Sequence, residues 1–304
     1  MNNILIFILN DWGEFLYKII MTNSNGLKAD CITKTESAFF QGDDMESAEI
    51  AIIGGTAVFD TSLLEGKGEV KVSTPYGSPS DSLTIGTFKG RKIAILPRHG
   101  KGHTIPPHRI NTRANIHALK QLGVTRILAL AAVGSLKEDY KAGEVVIPDQ
   151  FIDWGKHVHT FYDEGKFYHV SMADPFCPEL NRLLASVAKS LRIPVHDKGT
   201  YVRIEGPQFS TRSASRMYRQ FGDIIGMTCI PEAILAREKE ICLSVIATVT
   251  DFDVWAEKPV NYEEIKTVMR KNITNTEKIL ETIIPKIPAE RKCMCKDALK
   301  AAEA

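Results

Sequence analysis

The chain has little of what marks the specialised classes of protein. Only 6 of its 304 residues are cysteine, too few to staple a chain of this length as a disulfide framework. It has no excess charge of either sign: 38 Lys and Arg face 37 Asp and Glu, for a formal net charge of +1. Without a cationic excess, neither phosphate neutralisation along a nucleic acid nor attraction to anionic lipid has a driving force. A nucleic-acid or membrane-surface partner is excluded on those bulk grounds. No apolar stretch reaches the roughly 18–20 residues that span a bilayer. The cytoplasm is therefore the expected compartment.

The cysteines also lack the grouping that metal sites need. Cys31, Cys177, Cys229 and Cys242 are scattered singly, and Cys293-Met294-Cys295 is the only close pair. A zinc site wants four ligands, and no second CxxC or HxxxH lies beside that pair, so no metal is expected there. What is present is ordinary: 44% hydrophobic and 25% charged residues, close to an average soluble globular protein.

Residues 1–48 stand apart. The run Ile4-Leu5-Ile6-Phe7-Ile8-Leu9 has no Lys or Arg before it, which a secretory signal would require. Residues 22–49 are polar and lack periodicity. The expectation is a disordered extension or a start placed too early, with Met21 and Met45 downstream.

From Glu49 onward, apolar β-rich runs alternate with helical patterns. Strands are predicted at Ile50–Ile53, Lys92–Leu96, Arg126–Val133, Thr200–Ile204, Asp223–Gly226 and Cys242–Val249. Helices are predicted over Ile110–Leu122, around Leu180–Leu191, at Arg212–Phe221 and at Glu232–Glu240. A last helix runs from an Asn261/Glu264 capping pair to Pro285. Val70, Val72 and Thr74 alternate with polar residues, and no helical pattern separates them from Lys92, so those two stretches are expected to pair antiparallel. The sum is α/β: a single domain over residues 49–300 with a mixed, mostly buried central sheet flanked by helices.

Ligands of such folds sit beyond the carboxyl ends of the strands. That rule selects Gly54-Gly55-Thr56, Arg98-His99-Gly100, Ala131–Ser135, Glu205–Ser210, Met227-Thr228 and Thr250–Asp253. Gly54-Gly55-Thr56 matches neither GxGxxG nor the GxxxxGKS/T phosphate loop, and alone it is as well read as a plain turn. Arg98 and His99 beside it suit phosphate geometry, and Thr228 adds a hydroxyl. Asp251 and Asp253 are one residue apart after a strand. Two carboxylates in one site cannot both ionise cheaply, so one becomes a proton donor beside an acceptor. That pair matches the N7 and N6 edge of adenine, although a helix cap or a divalent-cation site uses the same spacing. His99, His103 and His108 crowd a loop without carboxylates or thiolates, and they read as pocket lining rather than metal ligands. Phe209, Met227 and Phe252 could pack on a base or belong to the core. No GxSxG is present.

Taken together, Gly54-Gly55-Thr56, Pro97-Arg98-His99-Gly100, Ala132-Val133-Gly134-Ser135, Asp149–Asp153, Met172–Cys177, Ile204-Glu205-Gly206-Pro207, Gly226-Met227-Thr228 and Thr250-Asp251-Phe252-Asp253 resemble the 5′-methylthioadenosine phosphorylases. These form part of the trimer-forming purine nucleoside phosphorylases, and the likeness runs from about Ile50 to Leu299. The resemblance implies phosphorolysis of 5′-methylthioadenosine to adenine and 5-methylthioribose 1-phosphate, in purine and methionine salvage. It implies inorganic phosphate as co-substrate, no cofactor, and a homotrimer or dimer of trimers. Thr56, Arg98, His99, Ala131, Ala132 and Thr228 would hold phosphate. Met227 would pack on the ribose, and Asp251 and Asp253 would read the purine, with Asp251 as its proton donor. Phe209 and Ser210 would shape the base pocket. His103, Pro107, Tyr262 and Ile265 would surround the 5′ substituent, with His169 reaching in from a neighbouring subunit.

Two residues depart from that pattern. Ala131 stands where many relatives carry Ser or Thr, which removes a hydroxyl contact to phosphate. Gln208 replaces a more usual Arg, without a clear consequence. Cys177 and Cys242 occupy positions paired in some thermophilic relatives, and the terminal CxC looks like theirs. Other readings compete: a broader phosphorylase acting on adenosine, inosine or guanosine, a nucleosidase using water, and a non-enzymatic nucleoside binder.

Overall fold

Two runs, Arg126–Ser135 and Cys242–Asp251, are buried at most positions and carry apolar residues on both faces. A strand with apolar residues on both faces must be covered on both, and these two lie side by side at the centre of the sheet. The computed structural model describes residues 3–9, 15–23, 26–28, 47–55, 59–256, 262–300 and 302–304.

The chain divides into two units, Met1–Met45 and Glu46–Ala304. The first contains three strands, β1 (Asn3–Leu9), β2 (Phe15–Asn23) and β3 (Gly26–Lys28), paired antiparallel in chain order. Sequence periodicity assigns no element there.

The second unit runs β4 (Ile50–Gly54), β5 (Glu65–Val70), β6 (Leu83–Phe88), β7 (Arg91–Pro97), α1 (Thr112–Gln121), β8 (Arg126–Ser135), β9 (Val145–Val146) and β10 (Gln150–Asp153). It continues α2 (Pro178–Ser190), β11 (Val195–His196), β12 (Thr200–Arg203), α3 (Arg212–Tyr218), β13 (Ile224–Gly226), α4 (Cys229–Glu238), β14 (Cys242–Asp251) and α5 (Tyr262–Ile283). The sheet has 11 strands in the path β10-β12-β13-β8-β4-β7-β6-β5, with β14 added beside β8 and β9, and β9 beside β11. Pairings β4–β7, β4–β8, β8–β14, β10–β12, β12–β13 and β9–β11 are parallel. Those of β5–β6, β6–β7, β8–β13 and β9–β14 are antiparallel. The sheet is mixed, as expected.

Alternate residues of β14 belong to different layers. Leu243, Val245, Ala247 and Val249 share a core with α1 and α4, whereas Cys242 and Ile246 share one with α2 and α5. Among the described residues, no helix is long and apolar enough to cross a membrane.

Several assignments differ from the sequence reading. The stretch at Val70–Thr74 does not pair with β7. The strand there is β5, and an unassigned strand, β6, lies between them. Its alternation of Leu83 and Ile85 is masked by Gly86, where a Cβ would come within 2.9 Å of Leu64 Cβ. Helix α4 starts at Cys229 rather than Glu232, since Pro231 falls in its first turn, where an amide hydrogen has no intrahelical partner to lose. Helix α5 begins at Tyr262, and the expected cap Asn261 lies outside the described residues.

Candidate active site

The carboxyl ends of β4, β7, β8, β13 and β14 converge on a cavity of about 280 Å³. Of the residues selected from sequence, Arg98, His99, His103, Ala131, Ala132, Phe209, Met227, Thr228, Asp251 and Asp253 line it, as do Pro107 and Ile265. Thr56 lies outside the described residues, although Gly55 before it lines the cavity. Tyr262 heads α5, but its side chain is likewise outside the described residues. His169 is exposed and is not part of this cavity, and its amide donates to the Ala302 carbonyl at 2.8 Å. Phe252 packs edge-on against Trp255 at 5.5 Å instead of facing the cavity.

One end of the cavity is built for an anion. Thr228 is the N-cap of α4, where its side chain makes no capping bond and its hydroxyl lies 3.8 Å from the Cys229 sulfur, so the hydroxyl and the first-turn amides of Cys229 and Ile230 are placed to meet a ligand. Arg98 is only 2% exposed, and its fork meets Glu232 of α4 through Nε–Oε1 at 2.5 Å and Nη2–Oε2 at 2.8 Å. Nη1 also donates to the Leu130 carbonyl at 2.7 Å. Bidentate pairing of this kind fixes the plane of the guanidinium. Glu232 was not selected from sequence. A carboxylate in the first turn of a helix normally reads as solvated, and only the fold shows that it is buried.

His99 stacks on His103 with ring centroids 4.1 Å apart. Its Nδ1 lies 2.8 Å from the Ile105 carbonyl oxygen. A carbonyl only accepts, so Nδ1 carries the hydrogen and Nε2 of the neutral ring is an acceptor. Burial pushes the His99 pKa down to about 4; the Ile105 bond opposes the shift, and the charges of Arg98 and His103 reinforce it. The neutral ring therefore offers its other nitrogen to a protonated oxygen.

The other end carries the two carboxyl groups. In β14 the register against β8 shifts between Val249 and Asp251, so Thr250 is an extra residue and Asp251 comes opposite Gly134. A Cβ at Gly134 would stand 3.1 Å from Asp251 Oδ1 and 3.4 Å from Asp253 Cβ. Glycine lets β8 lie against the pair. Asp251 Oδ1 accepts from the Asp253 amide at 2.7 Å, and Oδ2 lies 2.7 Å from the Thr250 hydroxyl. Burial raises the Asp251 pKa against those two bonds, and the Asp253 charge adds to the rise. Burial likewise raises that of Asp253, opposed by the Ser215 and Ser210 hydroxyls and the Val254 amide. Asp253 Oδ2, Ser210 Oγ and Ser215 Oγ are buried without a well-formed hydrogen bond, so this corner has polar capacity to spare. Met227 borders the cavity between the two ends, packed where only a glycine fits: a Cβ on Gly206 would come 2.5 Å from its sulfur.

Residues 49–285 match the phosphorylase superfamily. The S-methyl-5′-thioadenosine phosphorylase of Nitrosopumilus maritimus is 55% identical over 260 residues, covering 85% of this chain and 99% of that protein. The enzyme of the same name from Pyrococcus abyssi is 57% identical over 253 residues, 83% of this chain and 98% of that protein. Among solved structures, a methylthioadenosine phosphorylase from an Antarctic soil metagenomic library superposes with a TM-score of 0.81 at 45% identity, covering 85% of this chain and 93% of that one. The methylthioadenosine phosphorylase of Schistosoma mansoni in complex with adenine gives 0.76 at 36% identity, covering 84% and 97%. With 55–57% identity over 98–99% of the length of those relatives, the chain belongs to the S-methyl-5′-thioadenosine phosphorylases of the phosphorylase superfamily.

Proposed function

We propose that the chain splits 5′-methylthioadenosine with inorganic phosphate, giving adenine and 5-methylthioribose 1-phosphate. The observation that carries this reading is the joining of an anion-receptive end and a carboxyl pair in one cavity. A phosphate oxygen attacks C1′ as the bond from C1′ to the purine breaks. Positive charge builds on the ribose and negative charge on the base. Phosphate held by Arg98, Thr228 and the α4 amides offsets the first, and a proton from Asp251 to the purine quenches the second. His99 takes a hydrogen bond from the protonated phosphate oxygen. Asp253, with Ser210 and Ser215, accepts from the 6-amino group. His103, Pro107 and Ile265 present a largely apolar surface to the 5′ group, which favours a methylthio over a hydroxyl substituent.

No cofactor is needed for this chemistry, and phosphate is the co-substrate. The compartment expected from composition is the cytoplasm. Trp154, Met217 and Phe221 are exposed large apolar side chains, and Trp154 and Phe221 have ring centroids 6.4 Å apart. Such a patch supports association of identical chains, with a homotrimer or dimer of trimers as the proposed state and His169 contributed across the interface.

Release of adenine with and without phosphate, from methylthioadenosine, adenosine and inosine, tests the reading. Phosphate-dependent turnover with methylthioadenosine preferred is expected. Equal release in phosphate-free buffer would mean a nucleosidase, and comparable turnover of inosine a broader phosphorylase.

A further inference from the structure

At the amino end of β14, about 30 Å along a ten-residue strand from Asp251, four cysteines meet. Cys177, Cys242, Cys293 and Cys295 are all buried, and their sulfurs all lie within 4.8 Å of one another. The Cys242 and Cys293 sulfurs lie 3.3 Å apart, and none of the four is bonded to another. The sequence scatters two of these residues and leaves the CxC pair without partners, but the fold supplies the missing two.

We propose that these four side chains form a tetrathiolate site for a single zinc ion, which fastens the carboxyl-terminal segment to the core. A tetrahedral ion with bonds of about 2.3 Å sets its sulfurs about 3.8 Å apart along every edge. Mutual closeness of all four sulfurs is what one shared ion requires, whereas disulfides need only separate pairs. The ligand set is all sulfur, with no carboxylate or imidazole in the cluster, which selects zinc over oxygen-seeking divalent ions. Binding releases four protons to solvent, one from each thiol, and leaves a centre with two net negative charges.

The surroundings fit that charge. Cys177 is the N-cap of α2, a helix of 13 residues, and its own side chain makes no cap bond there. A thiolate at that position faces the positive end of the helix.

The ligands come from three parts of the chain: the head of α2, the first residue of β14 and the segment after α5. Beyond Cys295 the tail runs on to the 167–169 segment. There the His169 amide donates to the Ala302 carbonyl at 2.8 Å, and the Ala304 amide donates to the Phe167 carbonyl at 3.2 Å. A metal at Cys293 and Cys295 would therefore anchor the strap that braces His169. Its role is structural, since the reacting groups lie at the other end of the sheet.

The test uses the whole chain, produced with zinc in the medium and purified without chelators. Elemental analysis is expected to find about one zinc per chain. A mercurial reagent should release that zinc, and cobalt(II) exchanged into the site should show sulfur-to-cobalt charge-transfer absorption. The paired substitutions Cys293→Ser and Cys295→Ser should lower bound zinc at least about tenfold and speed proteolysis of the tail. Zinc below about one tenth of an equivalent in the unaltered chain would overturn the proposal. So would mapping under non-reducing conditions that finds these cysteines in disulfides. Both readouts on the unaltered chain stand whether or not the variant folds, and neither depends on turnover of a nucleoside.

Discussion

The amide of Asp253 donates to Oδ1 of Asp251 at 2.7 Å, and that bond decides which oxygen of Asp251 can carry a proton. Oδ1 is occupied as an acceptor, so the acidic proton resides on Oδ2, beside the Thr250 hydroxyl. Thr250 Oγ1 also lies 3.2 Å from the Val133 carbonyl, so the hydroxyl can donate to Oδ2 when Asp251 is ionised and to Val133 when it is not.

Asp251→Asn removes the acid but keeps the shape. The substitution is expected to lower kcat/KM for methylthioadenosine by about 100- to 10,000-fold, the usual size of a general-acid contribution. An amide at 251 or at 253 should also raise relative turnover of 6-oxo purines over 6-amino purines. Unchanged relative kcat/KM values across adenosine and inosine would count against both assignments.

Ala131→Thr restores a hydroxyl to the cavity wall. A hydrogen bond to a charged group contributes about 1.5–3 kcal/mol, so the KM for phosphate should fall by about tenfold or more. If steady-state titration of phosphate gives the same KM for both proteins, position 131 does not touch the anion.

Glu232→Ala leaves the guanidinium of Arg98 buried without its partner. Breaking a buried pair on one side costs about 3–5 kcal/mol. Urea unfolding should register that loss in the midpoint at unchanged slope, and the KM for phosphate should rise as Arg98 loses its orientation. A stability loss without a change in that KM would make the pair purely architectural.

His99 gives an acid limit. Its pKa in the fold, about 4, lies below its ordinary 6.5. Between those values the unfolded chain binds the proton that the folded chain does not, so this residue's contribution is full above pH 6.5 and is lost as pH falls towards 4. His99→Asn should flatten the fall in unfolding free energy across that window. Parallel curves for the two proteins would show that His99 does not titrate there.

Trp154→Glu combined with Phe221→Glu should shift the chain towards monomer in light scattering. Retention of the larger species would move the interface elsewhere.

Much of this was legible in the sequence, for physical reasons. Strands buried on both faces announce themselves as largely apolar runs, so β8 and β14 and the residues at their ends could be located directly. Arg98 stood out because it follows the apolar run of β7 directly, and Asp251 and Asp253 because they close that of β14. Glu232 did not, since nothing local distinguishes a buried carboxylate in a first helical turn from a solvated one. The four cysteines were missed for a related reason. Their partners are separated by up to 118 residues between Cys177 and Cys295 (295 minus 177), and only the sheet brings them together. Strand β6 was lost to one glycine that interrupts its alternation.

The slip in β14 has an architectural consequence. Side chains of a regular strand alternate between faces, so the polar end of β14 would be phased by the apolar residues before it. One additional residue at Thr250 uncouples the two. The core-facing part of the strand can keep its phase for packing while the last residue is aimed independently. In effect the strand is hinged in phase at Thr250, and substitutions that retune the core behind it need not re-aim the carboxyl groups in front.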